Sequence, residues 1–212
     1  MDIFEEIADE RRTLAALVSG LTPEEEATRS LCTAWSVREV VAHLVVPLEV
    51  GLAGFAVAMV LTGGRFDRAN VHLARRHARR STKELVAVLR QRADSRFTPP
   101  GMGPEAPLTD LLVHGMDIRW PLGLHRDVPA ERVRTSLDFL TSAAGRGLVP
   151  RGTSDGLRFE ADDVGWAHGG GPTVRGAADA VLLALAGRPA ALDHLAGDGV
   201  PTLRDRLSAA RR

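Results

Sequence analysis

Three helix-start signals lie in the first half of this chain, and they constrain its fold more than any other feature. Each is a capping box, a Ser or Thr followed three residues later by Glu, at Thr22/Glu25, Ser36/Glu39 and Ser81/Glu84. Such pairs satisfy N–H groups that the first turn of a helix leaves unpaired. The spacing of apolar residues predicts helices over about 3–19, 36–61, 81–93, 105–120 and 129–144. The chain before Gly145 is therefore predicted to be almost entirely helical.

After Gly145 the sequence pattern changes from continuous helices to a linker followed by short strands and helices. Residues 145–156 have the glycine and polar content of a linker, and Leu157–Ala161 alternates apolar and polar side chains as a strand does. Residues 165–171 resemble a second strand, while 174–186 and 190–195 have the composition of helices. We expect a mainly α fold with a helical domain at 1–147 and a small α/β domain at 156–212.

Composition narrows the functional class. With 27 basic and 27 acidic residues the formal net charge is zero, which disfavours a nucleic-acid partner. One cysteine, Cys32, excludes an internal disulfide framework, and the acidic N-terminal residues do not resemble a signal peptide, so a cytoplasmic location is expected. Of the basic residues 26 are Arg and only Lys83 is Lys, which is typical of GC-rich genomes and suggests an actinobacterial source.

A membrane span is not expected. The most apolar stretch, Val50–Leu61, would reach about 18 Å as a helix against roughly 30 Å of hydrocarbon. We interpret it as a buried core helix.

Two histidines lie on apolar helix stripes. His43 stands in VVAHLVV and His114 in DLLVHGMDI, where Asp110 precedes it by one helical turn. Chance alone would give about one acid-x-x-x-His pair in a chain with seven histidines and 27 acidic residues, and two occur. Hydrogen-bonded core histidines are therefore one interpretation. A site with two His and one carboxylate, which suits zinc or another divalent ion, is the other.

The other candidate binding and positioning residues are less specific than the metal ligands. Arg75 and Arg76 belong to the basic run ARRHARR and, with Asn70 before it, would bind a carboxylate or a thiol-cofactor sugar, although a solvated helix face is the alternative. Asp117, one turn after His114, would orient a ligand histidine or else lie exposed or pair with Arg119. No serine stands in a nucleophile elbow, and no catalytic residue is assigned beyond the metal site.

Three segments together resemble a known family. LCTAWSVREVVAHLV at 31–45, DLLVHGMDIRWPLG at 110–123 and VRGAADAVLLALAGRPAALDHLAGDG at 174–199 are similar, in this order, to motifs of the mycothiol-dependent maleylpyruvate isomerase family. The resemblance implies a four-helix bundle like that of the DinB superfamily, followed by a small α/β domain. It also implies a zinc ion held by His43, Asp110 and His114, with Asp110 where the family usually has Glu, and mycothiol as cosubstrate.

The mechanism implied by the resemblance is nucleophilic. A metal-bound thiolate attacks an electrophilic carbon of a small substrate, and the thiol then leaves in an isomerase or stays in a transferase. The alternative is a non-catalytic protein that binds a small molecule or a partner on the same scaffold with a degenerate metal site, which Asp110 favours. A DNA-binding regulator is the third possibility and is disfavoured by the charge balance.

Overall fold

The computed structural model describes residues 2–32 and 35–209. Two compact units are distinguished: one contains the residues up to Pro99 together with Asp117–His125, and the other contains Pro100–Met116 and the residues from Arg126 onward. The helices that begin in the first unit are α1 (Ile3–Val18), α2 (Pro23–Ala27), α3 (Val37–Glu49), α4 (Leu52–Leu61), α5 (Phe66–His77) and α6 (Thr82–Gln91).

The three predicted capping boxes are all formed. Thr22, Ser36 and Ser81 each accept a hydrogen bond from the N–H of the Glu three residues later, and each Glu carboxylate accepts one in return. A fourth box, Asp2 with Glu5, begins α1. Within this unit α1 packs against α6, and α3 packs against α5 and α6. Its core includes the fully buried Ile7, Val37, Val40, Leu85 and Leu89.

The second unit contains the small α/β part. Its sheet, formed by residues in the described range 35–209, has the strand order β2-β1-β3-β4, with β1 antiparallel to β2 and parallel to β3, and β3 antiparallel to β4. Helix α9 packs against β1 and β3, and Phe159 on β1 is fully buried. The bounds are α7 (Glu105–Arg119), α8 (Ala130–Thr141), β1 (Arg158–Ala161), β2 (Trp166–Gly169), β3 (Thr173–Gly176), α9 (Ala178–Leu185), β4 (Leu195–Ala196) and α10 (Val200–Ala209).

The predicted fold class, a helical region followed by a small α/β region, is confirmed. Several element predictions were wrong in detail. The helix expected over 36–61 is two helices, because Val50 takes an extended conformation and Gly51 begins α4 as its N-cap. The helix expected from Val174 starts at Ala178, since Thr173–Gly176 pairs with β1 as a strand. The segment expected as a helix at 190–195 is a 3₁₀ turn over Pro189–His194. Helix α10 was not predicted, and α5 was anticipated only as the helix-face alternative for the basic run at 74–80.

The interpretation of Val50–Leu61 as a buried core helix was also wrong. Of the ten residues of α4, all of which the structure describes, Ala58 alone is buried. The helix contains no ionisable side chain, so periodicity could not show which side faces the core. Among the described residues no helix is both long and apolar enough to cross a membrane. The domain bounds 1–147 and 156–212 remain a prediction.

Candidate metal centre

His43 lies on α3, one turn after the capping residue Glu39. Its ring stacks on the indole of Trp35, with ring centroids 4.6 Å apart and 26° between the planes. Trp35 is 6% exposed and lies immediately before the N-cap Ser36. The stacking therefore fixes the plane of the His43 imidazole from outside the helix. The position of Trp35 just before the helix that bears His43 is the sequence signal that could have identified this contact.

Asp110 and His114 lie one turn apart on α7. His114 Nε2 is 3.4 Å from Asp110 Oδ1, as the i, i+4 spacing predicts. His114 is 7% exposed, whereas the Asp110 side chain is 35% exposed. The buried imidazole and the half-buried carboxylate thus form a pair with one side open to solvent.

The structure groups the three predicted ligands. One ligand atom from each of His43, Asp110 and His114 lies within 4.8 Å of the other two. Tetrahedral zinc with bonds of about 2.0–2.1 Å separates neighbouring ligand atoms by about 3.3 Å. The 3.4 Å between Asp110 Oδ1 and His114 Nε2 matches this separation. Among the described residues this is the set of three His, Cys, Asp or Glu side chains that meets the spacing.

The predicted cofactor-binding residues lie on α5. Arg75 and Arg76 are exposed and line an open groove of about 680 Å³, and Asn70 is half-buried outside that lining. Arg75 Nε is 3.4 Å from Glu39 Oε1, one turn before His43 on α3. Their binding role remains a prediction.

Asp117 is fully buried, which removes the exposed-acid alternative. Its backbone carbonyl accepts a hydrogen bond from the N–H of Leu31, 3.2 Å away. Cys32, which follows Leu31, is half-buried. The segment that precedes α3 is therefore tied to the end of α7.

Comparisons with known proteins place this architecture in a class. Two solved structures share the fold along almost the whole chain: the mycothiol-dependent maleylpyruvate isomerase (TM-score 0.56, 18% identity) and a histidine-to-alanine mutant of the mycothiol-dependent maleylpyruvate isomerase (TM-score 0.55, 17% identity). Each alignment covers 93% of this chain and 96% of the other. At such identity the likeness defines the fold class, a helical region with a small α/β region.

The family follows from a sequence model. Residues 7–119, more than half of the chain, match the mycothiol maleylpyruvate isomerase N-terminal domain. The chain belongs to this family, as its motifs predicted. A search of curated proteins found no match.

Proposed function

We propose that this chain is a metal- and thiol-dependent enzyme of the maleylpyruvate isomerase type. In this proposal His43, Asp110 and His114 bind a divalent cation, zinc by preference, and mycothiol is the cosubstrate. The family match and the names of the two structural neighbours support the thiol and the isomerisation. The observation that carries the metal is the set of three ligand atoms within 4.8 Å.

The donor set suits a catalytic rather than a closed structural site. Two imidazole nitrogens and one carboxylate oxygen would leave a fourth tetrahedral position open, as catalytic zinc sites do. Asp110 is shorter than Glu by one methylene, yet its oxygen lies 3.4 Å from His114 Nε2. The shorter side chain is therefore long enough to share a cation with His114.

The residues around the set have separate roles. A divalent cation bound there would favour the deprotonated form of a thiol at the open position. Trp35 holds the His43 ring by stacking, and burial of His114 keeps water from that side of the set. Arg75 and Arg76 supply positive charge that would attract the carboxylates of an acidic substrate.

Elemental analysis tests the metal. The protein would be purified without chelator or histidine tag beside three variants: His114→Ala, Asp110→Asn and the matched control His125→Ala, whose histidine is exposed. We expect about one zinc per chain in the parent and in the control, and less than about one tenth of that in the His114 variant. Absence of metal from the parent, even after incubation with zinc, would contradict the proposal and leave the non-catalytic binding protein.

A competition titration tests the carboxylate. The carboxylate oxygen of Asp110 already lies within 4.8 Å of the ligand atoms of both histidines. Asp110→Glu should therefore change zinc affinity by less than about tenfold, whereas Asp110→Asn should weaken it at least about tenfold. A large gain from Asp110→Glu would show that the aspartate is too short.

A thiol assay separates the two reaction outcomes. The zinc-loaded protein would be given maleylpyruvate and mycothiol, with product and free thiol followed together by NMR. Isomerisation leaves the free thiol concentration unchanged, whereas transfer consumes one thiol for each substrate molecule. We expect isomerisation in the parent and none in His114→Ala.

A further inference from the structure

A cleft of about 450 Å³ lies between the end of α1, helix α2 and one side of α6, all within the first unit. Its apolar wall consists of Val18, Leu21, Val86 and Ala87. Val18 and Val86 are buried, whereas Leu21 and Ala87 are half-buried and supply the accessible part of this wall. Concave sites with an apolar wall and a few polar groups are typical of small-molecule binding.

Two basic side chains lie on the same side of α6 as this wall. Lys83, Ala87 and Arg90 follow the i, i+4, i+7 spacing and line the cleft along about 10 Å of the helix. Because helical side chains lean toward the N-terminus, the guanidinium of Arg90 is directed back over Ala87. Its Nη2 donates to Ser19 Oγ at 3.3 Å, and Ser19 Oγ donates to the carbonyl of Ala16 at 2.8 Å. A neutral hydroxyl therefore holds the guanidinium at the wall of the cleft.

The charge of these two side chains is not neutralised by carboxylates of the described residues. Neither Lys83 nor Arg90 forms an ion pair with any of them. Glu26 also lines the cleft, but its Oε2 accepts hydrogen bonds from Thr82 Oγ1 at 2.5 Å and from Arg38 Nη1 at 3.5 Å. Its side chain is only 13% exposed. The accessible charge in the cleft is therefore positive.

We infer that this cleft binds a small amphipathic monocarboxylate. The guanidinium of Arg90 keeps N–H donors beyond the one bonded to Ser19, and these bind the carboxylate oxygens. Lys83 adds positive charge at the other end of the same helix side. The apolar body of the ligand lies on Leu21 and Ala87 and displaces water from them. The metal set is not involved, because none of its three residues lines the cleft.

The surroundings favour one negative charge over two or none. Ser19 is the C-cap of α1, so the negative end of that helix lies beside the guanidinium of Arg90 and opposes a phosphate dianion. An uncharged apolar molecule would leave both basic side chains without a counter-charge. Octanoate is a suitable probe because it combines one carboxylate with a flexible apolar chain.

NMR titration of the isotope-labelled full chain with octanoate tests the inference. We expect saturable shifts of backbone amides confined to residues 18–21 and 82–90, with a Kd of about 0.1–1 mM. Arg90→Met keeps the apolar stem but removes the charged donors, so it should raise the Kd at least about tenfold.

The matched control is Arg92→Met. Arg92 is exposed, as Arg90 is, and it is the C-cap of α6 but does not line the cleft. This variant should keep the Kd within about twofold of the parent value. Because both arginines are exposed, both variants should retain the circular dichroism spectrum of the parent.

Four results would overturn the inference. One is the absence of saturable shifts up to about 10 mM octanoate. Another is equal weakening of octanoate binding by Arg90→Met and Arg92→Met. A third is octanol binding as tightly as octanoate, which would show that the charges do not select the ligand. The fourth is inorganic phosphate binding more tightly than octanoate, which would assign the cleft to a dianion.

Lys83 provides an independent readout because it is the only lysine of the chain. Its acetylation by N-hydroxysuccinimidyl acetate can be followed by mass spectrometry of the peptide that contains it. Octanoate in the cleft lies beside the ammonium group, so about 5 mM octanoate should slow acetylation at least about threefold in the parent and in Arg92→Met. Arg90→Met should show little protection. Equal acetylation rates of the parent with and without octanoate would contradict this placement of the ligand.

Discussion

Two neighbouring arginines of α1 should differ sharply in their contribution to stability. Arg11 is 4% exposed and donates from Nη1 to the backbone carbonyls of Ala93 and Ser95, at 2.8 and 2.6 Å. Arg12 pairs with Asp94 at 2.6 Å, but the two side chains are 53% and 79% exposed. Both arginines thus contact the same segment after α6, one inside the protein and one in solvent.

The magnitude follows from what each substitution leaves behind. Arg11→Met keeps much of the buried stem but removes two charge-assisted hydrogen bonds, so we expect the free energy of unfolding to fall by about 2–4 kcal/mol. That loss corresponds to a melting temperature lower by roughly 4–16 °C for a chain of this size. Arg12→Met should change the free energy by less than about 0.5 kcal/mol, because an exposed ion pair contributes little.

The charge state of Arg11 predicts how the stability difference between the parent and Arg11→Met depends on pH. Burial lowers the pKa of Arg11 to about 10, while Asp94 opposes the shift. For a base whose pKa is depressed by folding, the cost of burying the charge is constant below the folded pKa and declines only above it. The difference between parent and Arg11→Met should therefore be the same from about pH 6 to about pH 9.

Urea denaturation followed by circular dichroism measures both variants. Equal losses in Arg11→Met and Arg12→Met, or a change within about 0.5 kcal/mol for Arg11→Met, would refute the argument that buried carbonyls depend on this guanidinium.

Two further results are expected. Ser81→Ala should lower the melting temperature at neutral pH, and the difference should shrink at acid pH: hydrogen bonds from the Ser81 side chain and backbone lower the pKa of Glu84 below 4.5, so its contribution is lost as pH falls through the folded pKa. An unchanged difference across an acid pH series would argue against this. Trp166→Phe should cost about 1–2 kcal/mol in urea denaturation, because the indole N–H donates to Asp138 Oδ1 at 2.7 Å. A double-mutant cycle with Asp138→Ala should show that the two losses are not additive.

The helix starts were the most predictable part of the fold because capping is local. Ser36 and Glu39 satisfy each other's backbone N–H groups within four residues, and no distant contact is needed. The end of the same helix was not predictable. Val50 and Gly51 interrupt an apolar run that continues into α4, so the break depends on backbone conformations that the pattern does not encode.

The prediction that α4 is buried was wrong for a related reason. A helix with apolar residues on all sides predicts burial on all sides, yet among the residues that the structure describes only the side bearing Ala58 is covered. Composition states how much surface is apolar; it does not state whether the same chain or another molecule covers it.

The candidate site divides in the same way into local and non-local parts. Asp110 and His114 lie one turn apart on α7, so the spacing alone predicted their 3.4 Å approach. His43 comes from a different helix, and no spacing rule relates it to that pair; its place on an apolar helix stripe made it a candidate, and the family resemblance supported it. The exchange of Glu for Asp changes a residue of the local part, where Asp110 Oδ1 still lies 3.4 Å from His114 Nε2. The proposed site therefore depends on two separate conditions: the helical spacing that brings Asp110 to His114, and the packing that brings His43, stacked on Trp35, to that pair.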